Sequence, residues 1–370
     1  MKLKAIDLRE IRLQLRRPFV TSRGTVSERR VLLVRIEDEN GVEGWAECSV
    51  FETPFYTEEW LDGAWTVLRD FLAPLAIGKE IAHPSEMSGV LGVVSGNRMA
   101  KAAIENACWH LESECRAVPL SNLLGGTRTS IAAAVAIGVK DSRDALLDAI
   151  AEELSCGYRR IKLKIGRGDD VELLENVRER FPDAPLSVDA NGAYAVDDGA
   201  KLSTLDRFEL KMIEQPFGPS EWSAHASLQK KMRTAVCLDE SILSAADASL
   251  AVELGACRII NVKSARVGGH SSALAIEQVC RERGISAWCG GMLESGIGRA
   301  HNIALASLEG FDLPSEVSAS SRYWEADIIE PPVTVEPDGS VRVSDRPGLG
   351  FEVDTNLVDR ITVRAESIRS

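Results

Sequence analysis

Five charged residues end successive apolar runs of this chain at a nearly constant interval. Lys164, Asp189, Glu214, Asp239 and Lys263 each follow the preceding one by roughly 25 residues, which is the length of one strand–helix unit. Helical patterns separate the runs, and this alternation predicts parallel strands joined by crossover helices. The runs cover residues 131–137, 161–165, 186–188, 212–213, 235–238, 258–262 and 285–288, and the helical stretches include 141–154, 170–180 and 245–254.

Seven or eight such units in about 200 residues favour a closed barrel over an open sheet. A doubly wound open sheet is the alternative, and nucleotide-binding sheets of that kind usually carry a glycine-rich turn. The glycine pair at 166–168 lacks the third glycine because residue 171 is valine, and the pair at 296–298 lacks it because residue 301 is histidine. A phosphate loop of the Walker type is also absent from the sequence.

The segment before the repeats has a different pattern. Residues 3–14, 31–38 and 43–48 resemble strands, with a hairpin signal at Asn40-Gly41, and residues 98–116 carry a helical apolar stripe. We therefore predict an α+β domain at 1–125, a barrel at 126–325 and a C-terminal segment at 326–370. In that segment, residues 333–343 with Asp338-Gly339 predict a hairpin that rejoins the N-terminal sheet.

Composition narrows the functional classes. The chain has 370 residues, 45% of them hydrophobic, and a formal net charge of −13, which argues against nucleic acid or an anionic membrane as a partner. None of the eight cysteines forms a Cys-x-x-Cys pair, no stretch of about 18 apolar residues is present, and the N-terminus lacks a signal-peptide pattern. We expect reduced, mostly buried cysteines and a cytoplasmic protein that acts on a small molecule.

Three of the charged residues predict a metal site. The carboxyl ends of barrel strands face the active site, so Asp189, Glu214 and Asp239 should converge there. Three adjacent carboxylates repel each other unless a cation neutralises them. A ligand set made only of oxygen suits a hard cation, so we predict Mg²⁺, with Mn²⁺ as a substitute.

Lysines flank the three carboxylates. Lys162 and Lys164 share one face of a strand, so both should point into the barrel, and Lys263 should approach from the opposite side. We expect the pKa of a lysine beside another ammonium and a metal to be lowered, which suits a base near neutral pH. A metal that holds a carboxylate stabilises the enediolate formed when the neighbouring proton is removed.

Several motifs make this pattern specific. They are Lys-Leu-Lys at 162–164, Val-Asp-Ala-Asn at 188–191, Ile-Glu-Gln-Pro at 213–216, Leu-Asp-Glu-Ser at 238–241, Asn-Val-Lys at 261–263 and the glycine-rich segment at 288–298. Together they resemble the muconate-lactonising subgroup of the enolase superfamily, and more narrowly its o-succinylbenzoate synthases and N-succinylamino acid or N-acylamino acid racemases. The resemblance implies a modified (β/α)₇β barrel of the TIM type with an α+β capping domain, and a homo-oligomer.

The resemblance also implies roles for individual residues. Lys164 is the catalytic base and then the acid of a dehydration in menaquinone biosynthesis, and Lys263 faces it as an ammonium. In a racemase the two lysines exchange protons from opposite faces. Asp189, Glu214 and Asp239 bind Mg²⁺, Arg266 tunes Lys263, and the substrate is a small carboxylate contacted by Lys162, Asn191, Gly291, Met292 and Phe19. Capping loops at 18–25 and 50–57 close over that substrate.

Other classes are weaker. Dipeptide epimerases of this subgroup tend to carry Asp-x-Asp on the last strand, where this chain has Pro314-Ser-Glu-Val-Ser. A barrel metallohydrolase needs His-x-His, and the five histidines are scattered, so His110 and His301 are interpreted as structural. A catalytically silent binding protein would have lost one of the five charged residues. Dehydration and racemisation need the same residues, so the sequence leaves that choice open.

Overall fold

The computed structural model describes residues 1–21, 24–166, 168 and 170–369, without the side chains of residues 19–21, 24 and 25. The strands, numbered in chain order, are β1 (Leu3–Thr21), β2 (Gly24–Asp38), β3 (Glu43–Cys48), β4 (Ser130–Ala132), β5 (Ala134–Ile137), β6 (Arg160–Lys164), β7 (Leu186–Asp189), β8 (Ile213–Glu214), β9 (Val236–Leu238), β10 (Ile259–Val262), β11 (Ser286–Cys289), β12 (Ile329–Glu330), β13 (Ser340–Arg342), β14 (Glu352–Val353) and β15 (Thr362–Arg369).

The α-helices alternate with the strands beyond residue 130. They are α1 (Leu61–Val67), α2 (Ala73–Ala76), α3 (Glu86–Leu91), α4 (Arg98–Cys115), α5 (Leu120–Leu123), α6 (Arg143–Ser155), α7 (Asp170–Arg180), α8 (Gly199–Ser203), α9 (Trp222–Lys231), α10 (Ala245–Glu253), α11 (Ser264–Val267), α12 (His270–Arg283), α13 (Gly296–Ala306) and α14 (Thr355–Ile361). A π-helical turn covers Leu68–Leu72, and 3₁₀ turns cover Val196–Asp198, Thr204–Phe208 and Ser320–Arg322.

The N-terminal domain is an antiparallel sheet covered by helices. Its strand order is β15-β1-β2-β3, and α4 packs against β2 and β3. In β1 the buried residues Ile11, Leu13 and Leu15 alternate with exposed polar ones, as a strand with one covered face requires. The expected loop at 18–25 is corrected: β1 runs to Thr21, and β2 begins at Gly24, so the two strands continue through most of that segment.

The second domain is a barrel of parallel strands. Strands β5 to β11 lie side by side in chain order, and each pairs in parallel with the next. Residues 313–317 join the two edges: Ala134 N of β5 donates to Ser315 O at 2.7 Å, and Glu316 N donates to Cys289 O of β11 at 2.9 Å. This segment occupies the eighth strand position. The predicted modified (β/α)₇β barrel with an α+β capping domain is therefore confirmed.

Local signals fix where the crossover helices begin and end. The Ser142 and Ser244 hydroxyl groups cap α6 and α10 by accepting from backbone N–H groups, each at 3.2 Å. Helix α12 ends at Gly284, whose φ of 67° places it in the left-handed region that glycine adopts without strain. Each helix thus returns the chain to the same end of the barrel, and the carboxyl ends of the strands share one face.

Two expectations about strand pairing are wrong. The first apolar run, 131–137, is divided between β4 and β5, because β4 leaves the barrel to pair antiparallel with β13. The turn predicted at Asp338-Gly339 is present, since Gly339 N donates to Glu336 O and Glu336 N donates to Ser340 O, each at 2.8 Å. The strand that follows it, β13, pairs with β4, so the expectation that this segment rejoins the N-terminal sheet is wrong. It is β15 that pairs with β1 in the capping sheet. The domain bounds at 125 and 325 stay a prediction.

The cysteines are reduced and mostly buried, as the sequence predicted. All eight cysteines, which lie in the described part of the chain, are free thiols, and six of them are buried. Among the described residues, no helix combines the length and the apolar character that a membrane span needs.

Histidines connect the two domains. Trp45 in β3 donates its backbone N–H to His110 Nδ1 at 2.8 Å and accepts at its carbonyl from His301 Nε2 at 2.8 Å. His301 Nδ1 in turn lies 2.9 Å from His270 Nε2. Burial lowers the pKa of His301 to about 3, so the ring is neutral; with Nε2 as the donor, its Nδ1 is then an acceptor. His110 and His301 therefore lie at the interface between the domains.

We predict that this interface responds to acid. Burial lowers the pKa of His301 to about 3, below that of about 6.5 in an unfolded chain, so between these values only the unfolded state takes up the proton. His301 should therefore remove up to about 1.4 kcal/mol from the free energy of unfolding for each pH unit below about 6.5. In His301→Gln, urea unfolding from pH 7 to 5 should show a correspondingly smaller loss.

The comparison must be made between variant and wild type at each pH. Burial raises the pKa of Glu47 and of Glu105 to about 7 each, and these carboxyl groups stabilise the fold as the pH falls, which opposes the histidine. An identical pH slope in wild type and His301→Gln would contradict the prediction.

Candidate active site

The charged strand ends meet at the barrel mouth in staggered layers. Lys164, Asp189 and Glu214 are direct partners on neighbouring strands, as the equal interval predicted. The partner of Glu214 on β9 is Cys237, so Asp239 lies two residues further along the barrel. The equal interval therefore does not place all five residues at the same height. Neighbouring strands in a barrel are shifted along the barrel axis. Residues at an equal sequence interval can therefore all point inward while lying at different heights along that axis.

Ion pairs connect the three carboxylates with the lysines. Asp189 Oδ2 accepts from Lys164 Nζ at 2.7 Å, and Lys162 Nζ lies 3.3 Å from the same oxygen and 3.0 Å from Glu214 Oε2. Lys263 Nζ donates to Asp239 Oδ2 at 2.9 Å. All three carboxylates are buried. The sequence-predicted lysines and acids are therefore brought together in one network.

Electrostatics differ among the three acids. Burial and the negative charge of Asp189 raise the pKa of Glu214 to about 8, against the opposing effect of Lys162. For Asp239, burial would raise the pKa, but Arg266 and Lys263 overcome it and hold the pKa well below its usual range. Asp239 is thus fully ionised, whereas Glu214 is the acid whose negative charge is least compensated.

The expected lowering of the lysine pKa is not found for Lys162 or Lys263. Burial lowers the pKa of Lys162, but the carboxylates of Glu214, Glu316 and Asp189 overcome this effect and raise it well above its ordinary value. Burial also lowers the pKa of Lys263, but the interactions with Asp239 and Tyr56 together overcome this effect and raise the pKa. Carboxylates lie closer to these two ammonium groups than other cations do, so both are protonated at neutral pH.

Arg266 binds the Asp239 carboxylate and two backbone carbonyl groups. Its guanidinium is buried, forms an ion pair with Asp239 Oδ1, and donates to the carbonyls of Asn261 at 2.9 Å and Ile242 at 3.2 Å. Lys263 binds the other oxygen of the same carboxylate. The predicted influence of Arg266 on Lys263 thus has a physical route through their shared partner.

Tyr56 is a contact that the sequence reasoning missed. Its hydroxyl accepts from Lys263 Nζ at 2.7 Å and donates to Asp239 Oδ2 at 3.1 Å. Burial and Asp239 raise the pKa of this phenol, so it stays protonated and can donate. Tyr56 belongs to the capping loop at 50–57, and no spacing rule within the barrel could have connected it with Lys263.

Three further polar residues complete the network. Glu316 from the eighth strand position lies 2.7 Å from Lys162 Nζ, Asn261 Nδ2 donates to Glu214 Oε1 at 2.8 Å, and Gln215 accepts from Asp239 N at 2.9 Å. Asn261 stands two residues before Lys263 in its strand, and this alternation was the available signal for it. For Glu316, the only signal in the sequence was its position where dipeptide epimerases tend to carry Asp-x-Asp.

The remaining predicted residues border a cavity of about 120 Å³ above this network. Its lining includes Phe51, Phe55, Tyr56, Ala136, Lys162, Lys164, Asp189, Asn191, Lys263, Gly291, Met292, Arg299, Glu316, Ser318 and Tyr323. Asn191 Oδ1 accepts from Lys164 Nζ at 2.6 Å. Phe19 pairs with Val26 through its backbone in β1, and its side chain lies outside what the structure describes. Residues of both domains thus border one cavity.

Glycines after β11 let groups of the barrel approach each other. A Cβ atom on Gly290 would collide with the side chain of Asn261, and one on Gly291 would lie 2.9 Å from the carbonyl of Glu316. Gly290 therefore accommodates Asn261. Gly291, which the resemblance implied as a substrate contact, lines the cavity.

The ligand set fits a hard divalent cation in its chemistry. Asp189, Glu214 and Asp239 offer buried carboxylate oxygens, and burial with the nearby charge of Asp189 raises the pKa of Glu214, so a cation beside it would stabilise its ionised form. Among the described residues, no group of three or more histidine, cysteine or acidic side chains converges tightly enough to hold a metal as it lies. Lysine and arginine groups stand between these oxygens, so a cation would replace part of the charge that they supply.

We predict energetic coupling between Tyr56 and Lys263. Tyr56→Phe removes only the hydroxyl and Lys263→Met only the charge, so a double-mutant cycle isolates their contact. Urea unfolding should give a coupling free energy of about 1–2 kcal/mol, as for a buried hydrogen bond to a charged group. The exposed Lys230 serves as the control, and Lys230→Met should add to Tyr56→Phe without coupling. Additive effects for the Tyr56 and Lys263 pair would contradict the contact.

Known proteins share this sequence and this architecture. The domain family "Mandelate racemase / muconate lactonizing enzyme, N-terminal domain" matches residues 5–125, and "Enolase C-terminal domain-like" matches residues 145–357. The o-succinylbenzoate synthase of Geobacillus stearothermophilus is 47% identical over 98% of this chain and 96% of its own length. The N-succinylamino acid racemase of Thermus thermophilus is 41% identical over 98% of each chain.

Solved structures show the same fold. An enolase-superfamily member from Listeria innocua superimposes with a TM-score of 0.95 at 39% identity, covering 100% of this chain and 99% of its own. The N-succinyl Arg/Lys racemase of Bacillus cereus gives a TM-score of 0.90 at 26% identity, with both chains covered completely. The chain belongs to the enolase superfamily, in the group that unites mandelate racemase with muconate lactonizing enzyme.

Proposed function

We propose that this chain is an o-succinylbenzoate synthase. It would dehydrate the hydroxycyclohexadiene carboxylate that precedes o-succinylbenzoate, through an enediolate, in menaquinone biosynthesis. The observation that carries the proposal is the pair Lys164 and Lys263, which stand at the carboxyl ends of the second and sixth strands of the barrel and line one cavity together with Asp189. Full-length relatives named o-succinylbenzoate synthase at 40–47% identity support it.

Asp189, Glu214 and Asp239 are the residues that would hold Mg²⁺ or Mn²⁺, which supplies positive charge to the substrate carboxylate as the enediolate forms. Lys162 is protonated, so it can donate to the same developing negative charge. Its position between Asp189, Glu214 and Glu316 keeps the ammonium fixed. Asn191 orients Lys164 by accepting from its Nζ.

Lys164 carries both proton transfers of the dehydration. As the neutral amine it takes the proton next to the carboxylate, and as the resulting ammonium it returns a proton to the departing hydroxyl, which leaves as water. One group can do both steps when the proton and the hydroxyl leave from the same face of the ring. Lys263 stays an ammonium throughout, in keeping with its raised pKa, and stabilises the enediolate from the other side.

Racemisation of N-succinylamino or other N-acylamino acids is the second candidate activity. Lys164 ends the second barrel strand and Lys263 follows the sixth, which lie on opposite sides of the barrel, so each could exchange the α-proton with one face of the same carbanion. Relatives from Thermus thermophilus and Amycolatopsis named N-succinylamino acid racemase, 41% and 43% identical, support this activity. A dipeptide epimerase is disfavoured, because Pro314-Ser-Glu-Val-Ser stands where such epimerases tend to carry Asp-x-Asp on the last strand.

The cellular setting is also a proposal. We infer a homo-oligomer that acts in the cytoplasm on small carboxylates, with neither nucleic acid nor membrane as a partner. The net charge of −13 supports the exclusion of polyanionic partners.

Lys164→Ala tests the base. We expect the rate of dehydration and the rate of racemisation to fall by roughly 10²–10⁴-fold each, because general base catalysis contributes about that factor. Product formation from the cyclohexadiene carboxylate and loss of optical rotation of an N-succinylamino acid, both with Mg²⁺, measure the two reactions. Lys230→Ala, an exposed lysine, is the control. Dehydration that survives in Lys164→Ala would show that another group is the base.

Glu214→Gln tests the metal site while keeping the shape of the side chain. We expect calorimetric titration to show Mg²⁺ binding to the wild type and an affinity at least about 100-fold weaker in the variant, since even outer partners of metal ligands contribute 10–100-fold. Asp197→Asn changes an exposed carboxylate and should bind like the wild type. Equal Mg²⁺ affinity in Glu214→Gln and wild type would remove Glu214 from the ligand set.

A further inference from the structure

Arg299 is a buried guanidinium at the edge of the active-site cavity. It lies on helix α13, is 3% exposed, and belongs to the cavity lining. Neither Nη1 nor Nη2 has a hydrogen-bond partner among the residues that the structure describes. Buried polar groups of folded proteins nearly always have partners, and an arginine without them is unfavourable unless a ligand supplies them.

The nearest acid does not meet this need. Asp327 Oδ2 lies 3.9 Å from Arg299 Nη1, which is beyond hydrogen-bond distance. The oxygens of Asp327 already accept from Gly296 N at 2.7 Å, Ile328 N at 2.8 Å and Ser320 Oγ at 2.5 Å. Asp327 therefore offsets the charge of the guanidinium, while the terminal N–H groups of Arg299 remain available as donors.

Neighbouring groups hold the guanidinium in place. Its central carbon lies 4.9 Å from the centre of the Tyr323 ring, within the range of a cation–π contact. Glu294, a carboxylate of the same lining, is bound by Asn302 Nδ2 at 3.0 Å and is not hydrogen-bonded to Arg299. Arg299 is thus oriented without its donors being used.

Its place in the barrel is opposite the three carboxylates. Asp189, Glu214 and Asp239 end the third, fourth and fifth strands of the barrel, whereas Arg299 follows the seventh strand, β11. Ala136 of the first strand and Ser318, next to the eighth position, line the cavity as well. A molecule whose reacting carboxylate lies at the three acids would therefore extend across the mouth toward Arg299.

We propose that Arg299 binds a second carboxylate of the substrate, so that the site selects dicarboxylates. This inference rests on the proposed function, in which the succinyl group of either substrate ends in a carboxylate. A guanidinium can donate two parallel hydrogen bonds to a carboxylate, which both orients and discriminates. The unreactive end of the substrate is then fixed while Lys164 and Lys263 act on the other end.

Ligand binding tests the proposal without turnover. Calorimetry with Mg²⁺ present compares o-succinylbenzoate with its analogue in which the succinyl carboxylate is a carboxamide. Wild type should bind the dicarboxylate at least about 10-fold more tightly, since hydrogen bonds to charged groups are the stronger ones. Arg299→Gln should lose this preference, and Arg299→Lys, which keeps the charge but not the paired donors, should retain part of it.

Arg322→Gln is the matched control. Arg322 also lies over Tyr323, at 5.4 Å, but it is paired with Glu153 and donates to the Ala136 carbonyl at 2.9 Å, so its variant should keep the wild-type preference. The proposal is overturned if wild type binds both compounds equally or neither, or if Arg299→Gln keeps the preference. Preferential binding of the dicarboxylate without dehydration or racemisation would instead support the Arg299 site and reject the proposed function.

Discussion

Charge balance at the barrel mouth is the constraint on which the rest of this structure depends. Asp189, Glu214 and Asp239 are buried together, and buried charges persist only when opposite charges and hydrogen bonds accompany them. Lys162 and Lys263 provide much of this compensation. Burial and the charge of Asp189 raise the pKa of Glu214 to about 8, and the three buried carboxylates together are the physical ground for placing a divalent cation there.

The capping domain contributes contacts to the site at the barrel mouth. Tyr56 connects Lys263 with Asp239 from the capping loop, and His110 and His301 hold the two domains together through the backbone of Trp45. The pKa of His301 is lowered because its ring is buried in this interface. Burial of His301 therefore makes the interface between the two domains sensitive to acid.

Much of the fold and of the candidate site could be predicted because parallel barrels repeat. The interval of one strand–helix unit marked Lys164, Asp189 and Glu214 as neighbours, and alternation along β6 placed Lys162 on the inward face with Lys164. Two partners were wrong: β4 leaves the barrel, and β13 pairs with β4 and not with the N-terminal sheet, since a short apolar run does not reveal which strand it will pair with.

The sequence by itself determined the barrel, the capping domain and the identity of the charged groups, because periodicity and residue type depend on the local chain. Only the tertiary structure decided their environment. It placed Asp239 one layer above Glu214 through the stagger of the strands, and raised the pKa of Lys162 by enclosing it among carboxylates. It also left Arg299 buried without hydrogen bonds beside the cavity. Burial and partners arise from segments far apart in the chain, and no local pattern specifies them.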